Sequence, residues 1–268
     1  MRAFAAAAVF LVCAVSAEAY SVQVSGQGTF YAREKIELAV RGDFNCRNCY
    51  DYSEISVKAV FKDPAGSAYE VDGFYAAEYG ATGDGNAAVE GEKYFRIRFT
   101  PPKRGKWTYS VSVNGKKGVM FLAPPKAITV LPARGKKGIV RVSREDPLYF
   151  EHESRDPFFA LGANIAWYKD DFEAEYDSYF SKFADSGANT ARIWMAPWSF
   201  SIEWDGPIGD YSARQKQAHM LDRVFEMAEK HGVYIMLCLV SHGEFSEKTN
   251  PEWGRNPYNA ANDGLLNK

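Results

Sequence analysis

Short segments of alternating hydrophobic and polar residues occupy the first half of the chain, from residue 21 to residue 132. They include KIELAV (35–40), EISVKAVF (54–61), KYFRIRF (93–99) and KWTYSVSV (106–113). A period of two is typical of a half-buried strand, and turn signals such as Asn114-Gly115 separate the segments. About seven such strands over roughly 110 residues predict an all-β, immunoglobulin-like sandwich.

Two segments in the second half have the spacing of amphipathic helices. Aromatic residues recur at intervals of three and four between residues 172 and 186, Asp170 and Glu173 have capping-box spacing at the start, and Gly187 follows the last turn. A second such segment runs from 213 to 231, and Ser212 and Gln215 at its start have capping-box spacing. The sequence therefore predicts helices over 172–186 and 213–231.

Three strand-like runs flank these helices: FFALGANI (158–165), NTARIWMA (189–196) and VYIMLCLV (233–240). The last is continuously apolar, as expected of a strand buried on both faces. The order β-α-β-α-β predicts a parallel sheet, either open and doubly wound or closed as a (β/α)8 barrel. A doubly wound fold is less favoured, because the typical phosphate-binding turn does not follow strand one. A complete barrel takes about 250 residues, so we expect an incomplete α/β (β/α)8 TIM barrel of about three βα units.

The chain thus divides into four predicted segments. They are a signal peptide (1–19), a β-sandwich domain (20–132), a linker with a lead-in hairpin (133–157) and the partial barrel (158–268). The first segment has a basic Arg2, an apolar run and small residues before Tyr20, the layout of a signal peptide. The run is shorter than the ~20 residues of a membrane span. We expect a soluble protein that is secreted or periplasmic and leaves the membrane after cleavage, with an uncleaved anchor as the alternative.

Composition and charge limit the classes of molecule that the protein is expected to bind. The formal net charge is -2 and no long run of Lys and Arg occurs, so the electrostatic footprint of a nucleic-acid-binding protein is missing. Aromatic residues make up 15% of the chain, more than a core of ordinary composition needs. Some of these rings are therefore candidates for ligand contact.

The stretch NTARIWMAPWSF (189–200) places an arginine inside a strand that otherwise reads as buried. Since side chains alternate, Thr190, Arg192 and Trp194 share one face, and the apolar residues share the other. An interior arginine is costly unless a carboxylate or a polar ligand meets it. Both readings stay open: Arg192 pairs with a structural carboxylate, or it contacts a ligand.

Polar and aromatic residues follow each of the three strands of the second half. Flat rings offer sugar faces a stacking surface, and amide, imidazole and guanidinium groups bind hydroxyls. For the tryptophans, ordinary packing at the rim is the alternative, and for the histidine a structural role. The candidate substrate-binding residues are Asn164, Trp167, Arg192, Trp194, Trp198, His242, Tyr258 and Asn259.

Cys46 and Cys49 form the motif CRNC within the sandwich. In an exported protein this pair is a candidate local disulfide, with free thiols or a redox or metal site as alternatives. A zinc site needs a second pair of ligands, which the sequence does not show. No glycine-rich phosphate loop or H-E-x-x-H stretch occurs, so we expect neither a metal nor a cofactor.

The ordered set FFALGANIAWY, GANTARIWMAPWSF, HGVYIMLCLVSHGEF and NPYNAAN resembles the first part of a clan A glycoside hydrolase barrel, of the cellulase-like kind. The preceding sandwich is similar to the N-terminal β-domain of little-known role that precedes such barrels in bacterial secreted proteins. The resemblance covers nearly all of the chain after the leader. It implies that Arg192 and His242 support the catalytic carboxylates or contact the sugar.

The same resemblance implies a retaining mechanism with two glutamates, one after an asparagine at the fourth strand and one at the seventh, ~5 to 5.5 Å apart. The sequence ends at Lys268, before a fourth strand, and Glu203 and Glu244 lack the expected context. We therefore expect a fragment of a secreted glycoside hydrolase, acting on polysaccharide or oligosaccharide, that has no catalytic residue and is inactive alone. The alternative is a non-catalytic carbohydrate-binding or adhesion protein.

Overall fold

The computed structural model describes residues 20–24, 29–81 and 88–267, so the predicted signal peptide lies outside the described residues. Ten strands form the first part of the fold. They are β1 (Tyr20–Val24), β2 (Phe30–Tyr31), β3 (Ile36–Gly42), β4 (Ile55–Lys62), β5 (Ala68–Asp72), β6 (Phe74–Ala81), β7 (Ala88–Phe99), β8 (Gly105–Gly115), β9 (Gly118–Leu122) and β10 (Lys126–Leu131).

These strands build two sheets that face each other. One has four strands in the order β1-β3-β7-β6, and the other has six, in the order β2-β10-β8-β4-β5 with β9 attached to β8. Neighbouring strands are antiparallel except β2 and β10, which run parallel. Leu38 and Ile97 of the first sheet and Val57 and Trp107 of the second are fully buried in one hydrophobic cluster. The core therefore lies between the sheets, and we call this part the sandwich.

The period of two in KYFRIRF (93–99) explains why one face of β7 lines the core and the other lies outside it. Phe95 and Ile97 point into the core, at 2% and 0% exposure. Arg96 and Arg98 point to the opposite, outer face of the sheet, as an alternating strand requires. This outer face is where the second half of the chain packs.

A small antiparallel sheet links the two halves. It contains β11 (Val140–Val142), β12 (Phe150–His152) and β13 (Pro157–Phe158). Glu151 is buried within it and accepts hydrogen bonds from Arg141 (3.1 Å) and Arg155 (3.2 Å). The predicted lead-in hairpin is thus a three-stranded sheet held by a buried carboxylate with two arginine partners.

The second half contains a parallel sheet and two helices. Its elements are β14 (Gly162–Asn164), α1 (Phe172–Ser186), β15 (Thr190–Trp194), α2 (Gln215–His231) and β16 (Tyr234–Cys238). The strands pair in parallel in the order β14-β15-β16. At Gly162 a Cβ atom would lie 1.6 Å from the Thr190 carbonyl oxygen, so only glycine permits this pairing.

The bounds of the predicted helix over 172–186 are confirmed, whereas the predicted capping residue, Asp170, is wrong by one position. Asp171 caps it by accepting from the N–H groups of Glu173 and Ala174, and Gly187 ends it with a left-handed φ of 76°. The second helix begins later than predicted, because residues 212–214 form a 3-10 turn and Gln215 makes no capping hydrogen bond. It ends at His231, before the left-handed Gly232.

The predicted fold class, with its incomplete (β/α)8 barrel, is wrong. The described residues contain about twice as much strand as helix, 38% against 18%, with two α-helices and no barrel of α/β units. The β-α-β-α-β order specifies only that neighbouring strands run parallel. Barrel closure depends on strand tilt and register shift, which that order does not specify.

The prediction that residues 233–240 are buried on both faces is also wrong. Met236 is 56% exposed and Leu239 is 70% exposed. The two helices cover one face of the parallel sheet, where Ala191 and Ile193 are fully buried together with Tyr176 of α1 and Val224 of α2. The other face is open, and apolar composition alone does not distinguish one covered face from two.

Helix α2 is docked on the outer face of the sandwich by paired polar groups. The Arg98 guanidinium donates to both carboxylate oxygens of Asp222 (2.7 and 2.6 Å), and its Nε donates to Glu37 (2.7 Å). Gln215 Oε1 accepts from the N–H of Ala77 (2.8 Å), and Gln215 is buried. Bidentate arginine pairs impose a definite geometry, so α2 is held at one angle on β6 and β7.

Within the described residues, neither helix is long and apolar enough to cross a membrane.

We expect Asp222→Asn to loosen this docking, because it removes the charge that Arg98 pairs with. The pair is partly exposed, so the expected cost is about 1–2 kcal/mol, between that of a surface pair and that of a buried one. The free energy of unfolding from urea titration measures it. Glu34→Gln is the matched control, since Glu34 pairs with an exposed Arg134. An Asp222→Asn effect no larger than the control would contradict the docking role.

Candidate functional site

The carboxyl ends of the three parallel strands bring five of the predicted residues together. We call Trp167, Trp194, Trp198, Arg192 and His242 the tryptophan cluster. The ring of Trp167 lies 5.6 Å from that of Trp194 and 5.3 Å from that of Trp198, both edge to face. These contacts join the loop after β14, strand β15 and the loop after β15.

Arg192 and His242 contact the same central ring. The Arg192 guanidinium carbon lies 5.1 Å from the centre of the Trp194 ring, and the His242 ring lies 5.4 Å from it. Arg192 makes no ion pair within the part of the chain that the structure describes, so its charge is met by the indole face. Cation–π contact of this kind holds a guanidinium in place while leaving its N–H groups available.

Two of the indole rings are available to a ligand. Trp167 is 41% exposed and Trp198 is 42% exposed, whereas Trp194 is half-buried. The Trp194 Nε1 atom is buried and has no hydrogen-bond partner within the described residues. The cluster therefore presents two exposed rings, and Trp167 joins them to the half-buried Trp194.

Asn164 lies on the open face beside the cluster. It is opposite Arg192 in the parallel register of β14 and β15, so the two side chains share a face, and both are exposed. His242 is oriented by a residue that the sequence did not suggest: the Asn250 amide nitrogen lies 3.1 Å from His242 Nε2. No motif marks Asn250, which lies in a loop eight residues after the histidine.

Tyr258 and Asn259 are not brought into the cluster. The Tyr258 hydroxyl donates to Glu203 Oε2, and Asn259 accepts from the N–H of Ala261 (3.0 Å) and donates to the Trp253 carbonyl (3.0 Å). No ring contact or hydrogen bond connects them to the cluster in the described ranges. Their side chains stabilise the loops that follow β16.

Glu203 makes hydrogen bonds to two loops through its two carboxylate oxygens. Its Oε1 accepts from the N–H of Gly209 (2.9 Å), and the hydrogen bond from Tyr258 to its Oε2 is the main reason that the pKa of Tyr258 is raised to about 12. The sequence indicated Glu203 only as a weak catalytic candidate. Its two partners assign it the role of joining the loop after β15 to the loop after β16.

Glu244 is buried at the start of the last loop. Burial raises the pKa of its carboxyl above the usual value, although Oε1 accepts from the N–H of Ser241 (2.8 Å). Its carbonyl oxygen accepts from the Asn256 side chain (2.8 Å), and Asn256 is fully buried. Glu244 thus anchors the turn that carries His242.

Cys46 and Cys49 are joined by a disulfide in the loop between β3 and β4. Asn48, inside this loop, donates to the Gly209 carbonyl (2.9 Å), and the Tyr50 ring lies 5.5 Å from that of Tyr211. The disulfide loop therefore packs against the loop after β15. Among the described residues, no group of three or more His, Cys, Asp or Glu side chains has the arrangement of a metal site.

Comparison with known proteins gives one match to a family model, in the first part of the chain. Residues 30–114, within the sandwich, match a family model described as a domain of unknown function (DUF5060). No curated protein matches.

The chain is similar in structure to a candidate glycoside hydrolase from Bacteroides vulgatus ATCC 8482, with a TM-score of 0.56 and 19% identity. The match covers 79% of this chain and 41% of that one, so the chain spans about two fifths of the relative's length. At this identity the likeness shows a shared fold alone. The fold is thus glycoside-hydrolase-like over the matched part, and no comparison points to clan A.

Two further solved structures are more distant. A family 39 glycoside hydrolase from Bacteroides cellulosilyticus WH2 has 11% identity and a TM-score of 0.21, covering 80% of this chain and 33% of that one. A family 2 member from Bacteroides cellulosilyticus DSM 14838 has 11% identity and a TM-score of 0.27, covering 89% and 30%. TM-scores this low do not establish a shared fold.

The buried carboxyl of Glu244 gives a pH-dependent prediction. A raised pKa means that the neutral form is favoured in the folded protein, so this stabilisation is present at low pH and is lost as the pH rises through the folded pKa. The Glu244→Gln variant keeps an acceptor for Ser241 but does not ionise. We expect the stability of the wild type to fall relative to this variant between pH 4 and pH 7, measured as thermal unfolding midpoints. A constant difference across this range would show that the carboxyl does not resist ionisation.

Proposed function

We propose that the tryptophan cluster binds carbohydrate, as part of a secreted glycoside hydrolase that acts on polysaccharide or oligosaccharide. The observation that carries the proposal is the arrangement of two exposed indole rings, a guanidinium and an imidazole at one edge of the sheet. Rings stack on the apolar faces of sugars, and the nitrogen groups bind hydroxyls. The glycoside-hydrolase-like fold of the matched structure supports the same class of ligand.

Within this proposal each residue has a defined part. Trp167 and Trp198 provide the stacking surfaces, Arg192 donates hydrogen bonds to hydroxyl oxygens, and His242 binds a hydroxyl through the ring nitrogen that Asn250 leaves free. Asn164 supplies an amide on the neighbouring strand. Tyr258 and Asn259, the other two predicted contacts, donate hydrogen bonds to Glu203 and to the Trp253 carbonyl.

The hydrolytic part of the proposal rests on the sequence resemblance, which implies retention through two glutamates. Glu203 and Glu244 are each engaged in loop hydrogen bonds, and no hydrogen bond or ion pair joins a carboxylate to the five cluster residues in the described part of the chain. This favours the second candidate function, non-catalytic carbohydrate binding by the chain itself. Sequencing the source DNA past codon 268 separates the two, because the hydrolase requires a fourth strand that ends in Asn-Glu and a binding protein does not.

Trp198→Ala is expected to weaken the binding of an oligosaccharide about tenfold, a loss of about 1.4 kcal/mol. The reason is that it removes one of two exposed stacking surfaces. Isothermal titration with a panel of cello-, xylo- and manno-oligosaccharides measures the change. Tyr149→Ala is the matched control, because Tyr149 is an exposed ring, 63% accessible, in the turn between β11 and β12 and outside the cluster. Equal affinities for Trp198→Ala, Tyr149→Ala and wild type would rule out the cluster as the sugar site.

We further propose that the protein is exported and cleaved before Tyr20. The support is the signal-peptide pattern of residues 1–19 together with a disulfide, a bond that persists mainly in oxidising compartments. Expression with the intact N-terminus should yield a periplasmic or extracellular product that begins at Tyr20, as read by intact-mass spectrometry. A cytoplasmic product that retains Met1 and carries reduced Cys46 and Cys49 would contradict export.

A further inference from the structure

A chamber of about 290 Å³ lies between the sandwich and helix α2, away from the tryptophan cluster. We call it the interface chamber. Its walls are Tyr50, Tyr75 and Phe95 from the sandwich and Tyr211, Ala218 and Leu221 from the second half. Because both halves supply walls, the chamber exists only while α2 is docked.

Aromatic rings in contact with one another form part of the walls of the interface chamber. The Tyr50 ring lies 5.5 Å from that of Tyr75 and 5.5 Å from that of Tyr211, each near perpendicular. The Tyr75 ring lies 5.1 Å from that of Phe95. Rings in contact favour edge-to-face geometry, so a further planar ring finds matching faces and edges here.

Two polar atoms in these walls have no hydrogen-bond partner among the described residues. They are the hydroxyl oxygen of Tyr50 and the Nε of Arg96, and both are shielded from solvent. Burial raises the pKa of Tyr50, so its hydroxyl stays protonated and able to donate. Buried donors without partners are rare in folded proteins. Both donors call for an oxygen acceptor.

The charges around the chamber favour an uncharged occupant. Arg96, His219 and Asp222 line both the chamber and a wider groove of about 1180 Å³ between the sandwich and the helices. Arg96 and Asp222 have opposite charges, and burial lowers the pKa of His219, so the imidazole is neutral. The lining of the chamber therefore combines one positive and one negative side chain with a neutral imidazole, and it favours no net charge on a ligand.

We infer that the interface chamber binds a small uncharged aromatic ring with an oxygen acceptor, that is, a phenol or an aryl ether. An apolar cavity of about 150 Å³ is enough to bind benzene, so 290 Å³ admits a ring with a substituent. Because both donor atoms are shielded from solvent, the Tyr50 and Arg96 side chains must shift before an oxygen in the chamber can reach them, a rotamer change of the kind common on binding. This site shares no residue with the tryptophan cluster, and the inference does not depend on the proposed function.

The test is titration of the full chain with four probes: phenol, anisole, benzoate and cyclohexanol. Calorimetry and saturation-transfer NMR report binding. We expect phenol and anisole to bind with a Kd on the order of 1 mM, as a seven- or eight-atom ligand allows, and benzoate and cyclohexanol to bind at least about tenfold more weakly. No binding of phenol or anisole, or equal binding of benzoate, would overturn the inference.

Ala218→Leu places a larger side chain in the chamber and should weaken phenol binding at least about tenfold. Ala184→Leu is the matched control, because Ala184 is an exposed alanine in α1. Ala76→Leu fills the chamber from strand β6 instead of from α2. It is a second test of phenol binding if Ala218→Leu disturbs the docking of α2. Wild-type phenol affinity in a folded Ala218→Leu or Ala76→Leu variant would overturn the site.

Tyr50→Phe keeps the ring and removes its hydroxyl. We expect phenol to bind about threefold to tenfold more weakly, the usual range for one lost hydrogen bond to a small ligand. Unchanged affinity would overturn the assignment of the Tyr50 hydroxyl as the partner. An increase in thermal stability of Ala218→Leu without any ring binding in the wild type would identify the chamber as a packing defect. Oligosaccharide affinity should stay at the wild-type level in every one of these variants.

Discussion

The bidentate pair between Arg98 and Asp222 is the contact on which the arrangement of this chain depends. It fixes α2 to the outer face of the sandwich, with Glu37 on the other side of the guanidinium. The same helix buries Met220, Val224 and Met227 against the parallel sheet. One helix thus has a polar contact with the sandwich and an apolar contact with the sheet. The orientation of the sheet, and of the loops at its carboxyl edge, follows from how α2 is held.

The parallel sheet has two faces with different roles. Helices cover the face that carries Ala191 and Ile193, and this packing makes β15 rigid. The opposite face carries Asn164 and Arg192 into the open, next to the tryptophan rings. A rigid strand that presents polar groups on its uncovered side holds them in fixed positions, which lowers the entropic cost of binding a ligand there.

The bounds of single elements were predictable from the sequence, whereas the arrangement of the parallel sheet was not. Both bounds of helix α1 were predicted correctly, since aromatic spacing and Gly187 define its length through short-range contacts. The start of α2 was predicted wrongly, because the Gln215 side chain accepts a hydrogen bond from Ala77 of the sandwich, 138 positions earlier, instead of capping the helix. Such a long-range contact leaves no local pattern in the sequence. The barrel prediction failed for a related reason, because strand tilt and register are properties of a whole sheet.

The candidate site shows the same division. Alternation along β15 placed Arg192 and Trp194 on one face, and strand order placed Trp167, Trp198 and His242 at one edge. The roles of Tyr258 and Asn259 were not predictable, because Glu203 and the Trp253 carbonyl reach them through loop conformations that have no periodicity. The interface chamber could not be predicted from the sequence either, since its walls come from segments more than 100 residues apart.

The parallel pairing of β2 with β10 affects how the chain is made. Val130 and Leu131 lie beside Phe30 and Tyr31, so the six-stranded sheet is completed only by the last strand of the sandwich. Contacts this distant in sequence form slowly, so the six-stranded sheet is not complete until the end of the first half pairs with its beginning. The two helices follow this segment in the sequence, and α2 packs on the outer face of the other sheet. The surface that receives α2 therefore belongs to a sheet whose strands all precede β10 in the chain.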